Sequence, residues 1–210
     1  MPRPLSEPMR LNRKKRAQLA GALAAALVVM VMASGSDAWA APLPGSEVRH
    51  GSGIVLLGPV DRERLLAKWK MTERLDRSYN QARILSDQYR GDFGYPWLHS
   101  QTEEVVLRAA NARGDALARA WIQTGTEVVF RLERVDRSIE QLERIKDAIG
   151  PGLTDVPGSN RIFSSEPDAE HNRIIYTADR VSDAMLRALA ARFGTEALAV
   201  RIEPNPRFGY

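Results

Sequence analysis

The chain has 210 residues, one or two domains' worth, with 44% hydrophobic and 27% charged residues; that composition belongs to a foldable protein and excludes a fully disordered chain, a fibrous repeat and a multi-span membrane protein. There is no cysteine, which excludes disulfide frameworks, thiolate metal sites, iron–sulfur clusters and cysteine nucleophiles. Thirty Lys and Arg stand against twenty-six Asp and Glu, a net charge of +4.

The excess charge sits at the N-terminus. Arg10, Arg13, Lys14, Lys15 and Arg16 form a basic run, and a 17-residue apolar stretch follows from Ala17 to Ala33. Ala38-Trp39-Ala40 then supplies a small-x-small pattern. This order is that of a secretory signal peptide, residues 1–40, cleaved after Ala40. The alternative is a retained N-terminal membrane anchor, but the apolar stretch is at the short limit for crossing a bilayer. Six basic and two acidic residues lie in 1–40, leaving twenty-four of each sign in 41–210. A neutral mature chain gives no global charge argument for nucleic acid. The expected location is therefore extracytoplasmic, with membrane contact only through an uncleaved leader.

Residues 41–60 open with a Pro, Gly and Ser rich lead-in, expected to be flexible. Its apolar run Ile54 to Leu57 is either an added strand or a docked segment. A long helix is expected from Asp61 to Tyr89. Leu65, Trp69, Thr72, Leu75, Tyr79, Ala82, Leu85 and Tyr89 keep one face by steps of four and three. Asp61 is the expected cap and Gly91 the expected stop.

Two similar halves follow. The first carries Trp97-Leu98, a strand Glu104–Arg108, a helix Asp115–Ile122 and a strand Glu127–Leu132. The second carries Ile162-Phe163, a strand Arg173–Thr177, a helix capped by Ser182 and ended by Gly194, and a strand Leu198–Ile202. Gly125-Thr126-Glu127 matches Gly194-Thr195-Glu196, Arg131-Leu132-Glu133 matches Arg201-Ile202-Glu203, and Val105-Val106 matches Ile174-Ile175, all 69 or 70 residues apart. Agreement in order and offset points to two copies of a β-β-α-β unit. Between them, Ser138 caps a helix with the apolar stripe Ile139, Leu142, Ile145 and Ile149, ended by Gly150-Pro151. The expected fold is α+β: a long N-terminal helix plus two β-β-α-β repeat units with an intervening helix. The loop 150–160 divides the expected segments 61–150 and 151–210.

No chemical constellation survives comparison with its bland alternative. His50, His99 and His171 fall in three different loops without a second ligand at helical spacing. Glu166, Asp168, Glu170 and His171 make an acidic loop that either suits a hard cation or is a solvated turn; it lacks the glycine and distal Glu of an EF-hand, and the turn is the better reading. There is no G-x-S-x-G, P-loop or G-x-G-x-x-G. Gly51-Ser52-Gly53 reads as linker. No catalytic residue, metal or cofactor is expected, and the protein reads as a non-enzyme.

The halves also resemble a known family. Gly91-Asp92-Phe93-Gly94-Tyr95-Pro96-Trp97-Leu98-His99, Asn172-Arg173-Ile174-Ile175-Tyr176, Arg192-Phe193-Gly194 and Val200-Arg201-Ile202-Glu203 resemble motifs of the pro-regions of secreted bacterial serine proteases of the streptogrisin and α-lytic protease type. The resemblance spans about residues 61–206. Tyr95-Pro96 and His99 depart from the family pattern, and the sequence stops at Tyr210, where that family continues into a catalytic domain. The resemblance implies a pro-region-like protein that binds an extracytoplasmic serine protease as folding chaperone or inhibitor. It also implies a tail in the substrate cleft. The proline-stiffened tail Glu203–Tyr210 makes Arg207, Phe208, Gly209 and Tyr210 the candidate partner-binding residues; the alternative for them is a frayed terminus. The competing functions are an exported envelope or structural interaction protein, and the orphaned N-terminal part of a secreted protease.

Overall fold

Alternating apolar residues and well-placed caps build two β-sheets and four α-helices among the described residues. The structure is a computed structural model describing residues 39–61, 63, 72–99, 102–124 and 129–203. All of them fall in the unit Ser36–Tyr210.

The smaller sheet contains β3 (Trp97–His99), β4 (Glu104–Ala109) and β5 (Val129–Arg134). β3 pairs antiparallel with β4, and β4 pairs parallel with β5. The parallel step requires a crossover, supplied by α2 (Ala112–Gln123), which is capped by the Asn111 side chain. Period-two geometry sends Val105 and Leu107 to one face. There they meet Leu75 and Ala82 of α1 (Glu73–Gln88), Ala118 of α2, and Phe93.

The sequence places the start of α1 at Asp61, yet Thr72 is extended (φ −86°, ψ 152°) and caps the helix by accepting the Leu75 N–H. An extended residue with its side chain turned onto the backbone breaks a continuous helix at that point. Of the expected earlier part, residues 62 and 64–71 lie outside the described residues.

The larger sheet has five strands, in the order β1 (Glu47–Arg49), β2 (Val55–Leu57), β8 (Leu198–Ile202), β7 (Arg173–Ala178) and β6 (Ile162–Asp168). Its strands β6 (Ile162–Asp168), β7 (Arg173–Ala178) and β8 (Leu198–Ile202) pair antiparallel then parallel. The crossover is α4 (Asp183–Phe193), with Ser182 as cap and Gly194 after its last residue. Leu56, Val200 and Tyr176 are direct partners across β2, β8 and β7. They face a core with Met185, Leu186 and Leu189 of α4 and Leu142 of α3 (Ile139–Lys146). By packing, α3 and the buried Leu153 and Val156 of the following loop lie on this larger sheet.

Where the sequence reads a flexible lead-in, the structure has a hairpin. β1 (Glu47–Arg49) pairs antiparallel with β2 (Val55–Leu57), and β2 adds in parallel to β8. Three-residue strands have almost no independent stability. Burial of Ile54 and Leu56, worth about 1.5–3 kcal/mol each, holds them.

The two cores meet at residues 93–95. Phe93 is fully buried in the core of the smaller sheet, and Tyr95 packs against that of the larger. Gly94 between them donates its N–H to Arg108 O at 2.8 Å. A Cβ there would sit 2.9 Å from Asn172 Nδ2, so glycine admits the neighbouring amide. Asn172, in the left-handed region at φ 52°, accepts the Arg137 N–H at 3.0 Å and donates to the Arg137 carbonyl at 2.9 Å. Asn172→Ala should cost about 2–4 kcal/mol, combining two lost hydrogen bonds with an unfavourable φ. Asn172→Gly should recover about 1 kcal/mol of that by relieving the backbone alone; denaturant unfolding of both variants checks the ordering.

Candidate functional site

The candidate tail residues Arg207, Phe208, Gly209 and Tyr210 lie outside the described residues. The structure does fix the root of that tail. β8 is an interior strand between β2 and β7. Its Arg201 pairs with Glu166 and lies 3.9 Å from Glu203. The Glu203 N–H is donated to Ala178 O at 2.9 Å, and its carboxylate accepts the Val60 N–H at 2.9 Å. Glu203 therefore ties the end of β8 to both β7 and the chain leaving β2. A segment leaving this point starts from a position held on two sides.

The largest departure from the sequence reading lies at the β1–β2 turn. His50, expected on a surface loop, is buried, with its side chain 4% exposed. Its N–H is donated to Ile54 O at 2.9 Å and its carbonyl accepts the Gly53 N–H at 2.8 Å, which closes the turn. The Ser52 N–H points at His50 Nδ1 from 3.0 Å, so Nδ1 carries the lone pair and Nε2 the proton. Nε2 then donates to Asp183 Oδ1 at 3.2 Å. Ser52 Oγ lies 2.8 Å from the same Nδ1. The Trp39 indole N–H also donates to Asp183 Oδ1, and its ring meets the imidazole edge-on with centroids 4.7 Å apart.

These residues supply a serine, a histidine and an aspartate in one contact chain. The chemistry of that chain is set by its geometry. One nitrogen lone pair faces both the backbone N–H and the hydroxyl of Ser52, so the ring holds the turn as much as it polarises the hydroxyl. Asp183 is the first residue of α4, where the unpaired N–H groups of a helix favour a negative charge. The hydrogen bond from Trp39 is the chief cause that holds its carboxyl below the usual range, aided by His50 and Arg187. A strand-turn-strand reading of 47–57 places Ser52 against His50; no local pattern announces Asp183, far along the chain.

The acidic loop is a tight turn docked on the other sheet. Asp168 receives Arg173 Nε at 2.8 Å and lies 2.9 Å from His171 Nδ1. Glu166 pairs with Arg201. The carbonyls of Ala169 and Glu170 accept from Arg108, whose other partner is Glu133 at 3.0 Å. Burial is the chief cause that lowers the pKa of the Arg108 guanidinium. The Glu166 and Asp168 carboxylates are spoken for by arginines, and no group of three or more His, Asp or Glu able to hold a metal ion occurs among the described residues. His99 pairs with Thr102 Oγ1 at 2.8 Å.

No described helix is long and apolar enough to cross a membrane; the stretch Ala17–Ala33 lies outside the described residues. No family model, curated protein or solved structure matches the chain.

Between the cores, the Tyr95 hydroxyl donates to Glu143, which also receives Lys146. Burial alone raises the Glu143 carboxyl, and the hydrogen bonds from Lys146 and Tyr95 outweigh it and hold it below the usual range. A carboxyl depressed in the folded state contributes stability above its unfolded pKa and loses it as pH falls through the folded value. The melting temperature should therefore fall on acidification below about pH 4. Glu143→Gln, which cannot titrate, should lower stability at neutral pH and flatten that acid limb; calorimetry across pH 2–7 checks both.

Proposed function

We propose that the chain is an exported, non-enzymatic protein of the pro-region kind, which binds a chymotrypsin-like serine protease as folding chaperone or inhibitor. One observation carries this reading. Residues 91–95 and Asn172, which belong to the segments that bear the resemblance to such pro-regions, meet at a single junction. There Gly94 lies against the Asn172 amide, and Phe93 and Tyr95 enter different cores. Short words that look alike by chance have no reason to be neighbours in space.

The chain is also read as a duplication of one β-β-α-β unit. The run β3-β4-α2-β5 and the run β6-β7-α4-β8 each pair antiparallel first and parallel second. The matched words near 131–133 and 201–203 fall at corresponding ends of β5 and β8. The larger sheet differs by carrying the β1–β2 hairpin on β8.

The proposed contact is the tail. It starts from Glu203, held by Ala178 and Val60. Pro204 and Pro206 restrict its backbone, which lowers the ordering cost of an extended segment in a cleft. Backbone hydrogen bonds to the cleft edge supply attraction, and Phe208 or Tyr210 fills the primary pocket.

The test is capture from culture supernatant with the full chain and a twin lacking residues 204–210. Capture of a serine protease by the full chain alone, with slowed hydrolysis of a chromogenic substrate, supports partner and tail together. Capture by both forms moves the contact to the sheets or helices. Failure of the full chain at micromolar excess either to slow such a protease or to aid its refolding overturns the reading, and capture of envelope components instead favours an envelope interaction protein.

A further inference from the structure

Trp39 is the middle residue of the Ala38-Trp39-Ala40 pattern read as the leader's cleavage signal, yet it is docked on the folded protein. Its backbone N–H is donated to Val181 O at 3.1 Å. Its indole N–H is donated to Asp183 Oδ1, and its ring meets the edge of His50. One residue thus makes a main-chain hydrogen bond, a charge-assisted side-chain hydrogen bond and an aromatic contact. Each partner is fixed for an independent reason. Val181 is buried beside the helix cap Ser182, Asp183 opens α4, and His50 is locked in its turn. The seat is therefore formed by elements other than the segment that occupies it.

Cleavage after Ala40 would remove that occupant from the exported chain. The Asp183 carboxylate would lose its indole donor, and the exposed edge of the His50 ring its cover. We propose that Val181, Asp183 and His50 form a binding seat for a tryptophan in an extended peptide segment, filled by Trp39 in the unprocessed chain and vacated at processing for a tryptophan-bearing segment of a partner protein.

The chemistry selects the residue. Indole is a donor without an acceptor, so it suits a carboxylate that already accepts from His50. Phenylalanine offers no donor and would leave Asp183 to His50, Arg187 and solvent. The extended backbone of the incoming segment supplies the N–H for Val181, as in other peptide sites that combine a main-chain bond with a side-chain pocket. Trp39 remains 43% exposed in the seat, which marks a shallow and reversible site. The inference is independent of the protease reading and rests on processing at Ala40 only for the emptying of the seat.

The two parts separate experimentally. The full-length chain carrying Trp39→Ala is titrated with an acetylated, amidated peptide of residues 37–41, and binding is followed by NMR shifts of the protein. Saturable binding centred on residues 50 and 181–183 is expected, at least tenfold tighter than to the unsubstituted chain, where Trp39 competes intramolecularly at an effective concentration near millimolar. Adding Asp183→Ala to Trp39→Ala, or placing phenylalanine in the peptide, should weaken binding about ten- to hundredfold. No saturable binding to a folded Trp39→Ala chain, or equal binding after Asp183→Ala, overturns the seat. Mass spectrometry of the exported protein tests the vacancy: an N-terminus at Ala41 supports it, and retention of Trp39 overturns it while leaving the binding result standing.

Discussion

Residues 93–95 carry the constraint on which both halves depend. In a regular extended strand residues two apart share a face, so the backbone over residues 93–95 departs from that pattern to serve two cores. Phe93 fills one, Tyr95 borders the other, and Gly94 leaves room for a third element to enter from the side. The main chain around this point is used with equal economy. Phe93 O accepts the first N–H of α3, Asp92 O accepts Ala110 N–H, and Asn111 holds both Gly91 O and Asp92 Oδ1 while capping α2. Gly114 of α2 comes so close that a Cβ would lie 2.1 Å from Asp92 O. Helix starts, sheet edge and core boundary are thus set by one short segment.

Across the junction, charge-assisted hydrogen bonds join the apolar contacts of Phe93 and Tyr95. Arg108 is buried on the outer face of the smaller sheet, stacked near Trp97 at 5.5 Å, paired with Glu133, and bonded to two carbonyls of the β6–β7 turn. A buried guanidinium is costly to desolvate, and only a full set of partners makes it tolerable. Here Arg108 Nε and Trp97 Nε1 have no hydrogen-bond partner among the described residues. The arrangement therefore adds less to stability than its number of contacts suggests. Its value lies in register: one turn offers carbonyls 169 and 170 to Arg108 and, two residues on, the Asn172 amide to Arg137.

The parts legible in the sequence are those whose cause is local. Leu198–Ile202 alternates cleanly, Ser182 and Gly194 bracket α4, and Ser138 with Gln141 forms a reciprocal cap on α3; β8 and the starts of both helices lie where these signals place them. The break at Thr72 is not legible because Asp61 and Thr72 are both good caps and the apolar stripe runs past each without a change of period; Glu63, the one described residue between 61 and 72, is helical. The run Ile54–Leu57 reads as an added strand or a docked segment, and the fold makes it the strand β2 on β8; β1 is illegible because three residues are too few to show periodicity and its stability comes through β2 from β8, near the other end of the chain. For the same reason His50 and Ser52 read as loop and linker. Their partner Asp183 is a helix-capping acid by every local criterion, and only the fold brings it to the imidazole.

The placement of β2 has a consequence for how the molecule becomes complete. β8 can pair with β7 as soon as α4 forms, because the connection is short. Its other edge pairs with residues 55–57, separated from it by nearly all of the folded chain, so that pairing closes the longer loop and carries its entropic cost. The β1–β2 hairpin cannot prepay that cost, since it lacks stability of its own. Without the hairpin, β8 would present a row of unpaired N–H and C=O groups, with the tail root at Glu203 beside it. An open strand edge is itself a template for pairing with another chain. The hairpin therefore does two things by one contact: it buries Ile54 and Leu56 in the core, and it closes the strand edge nearest the tail.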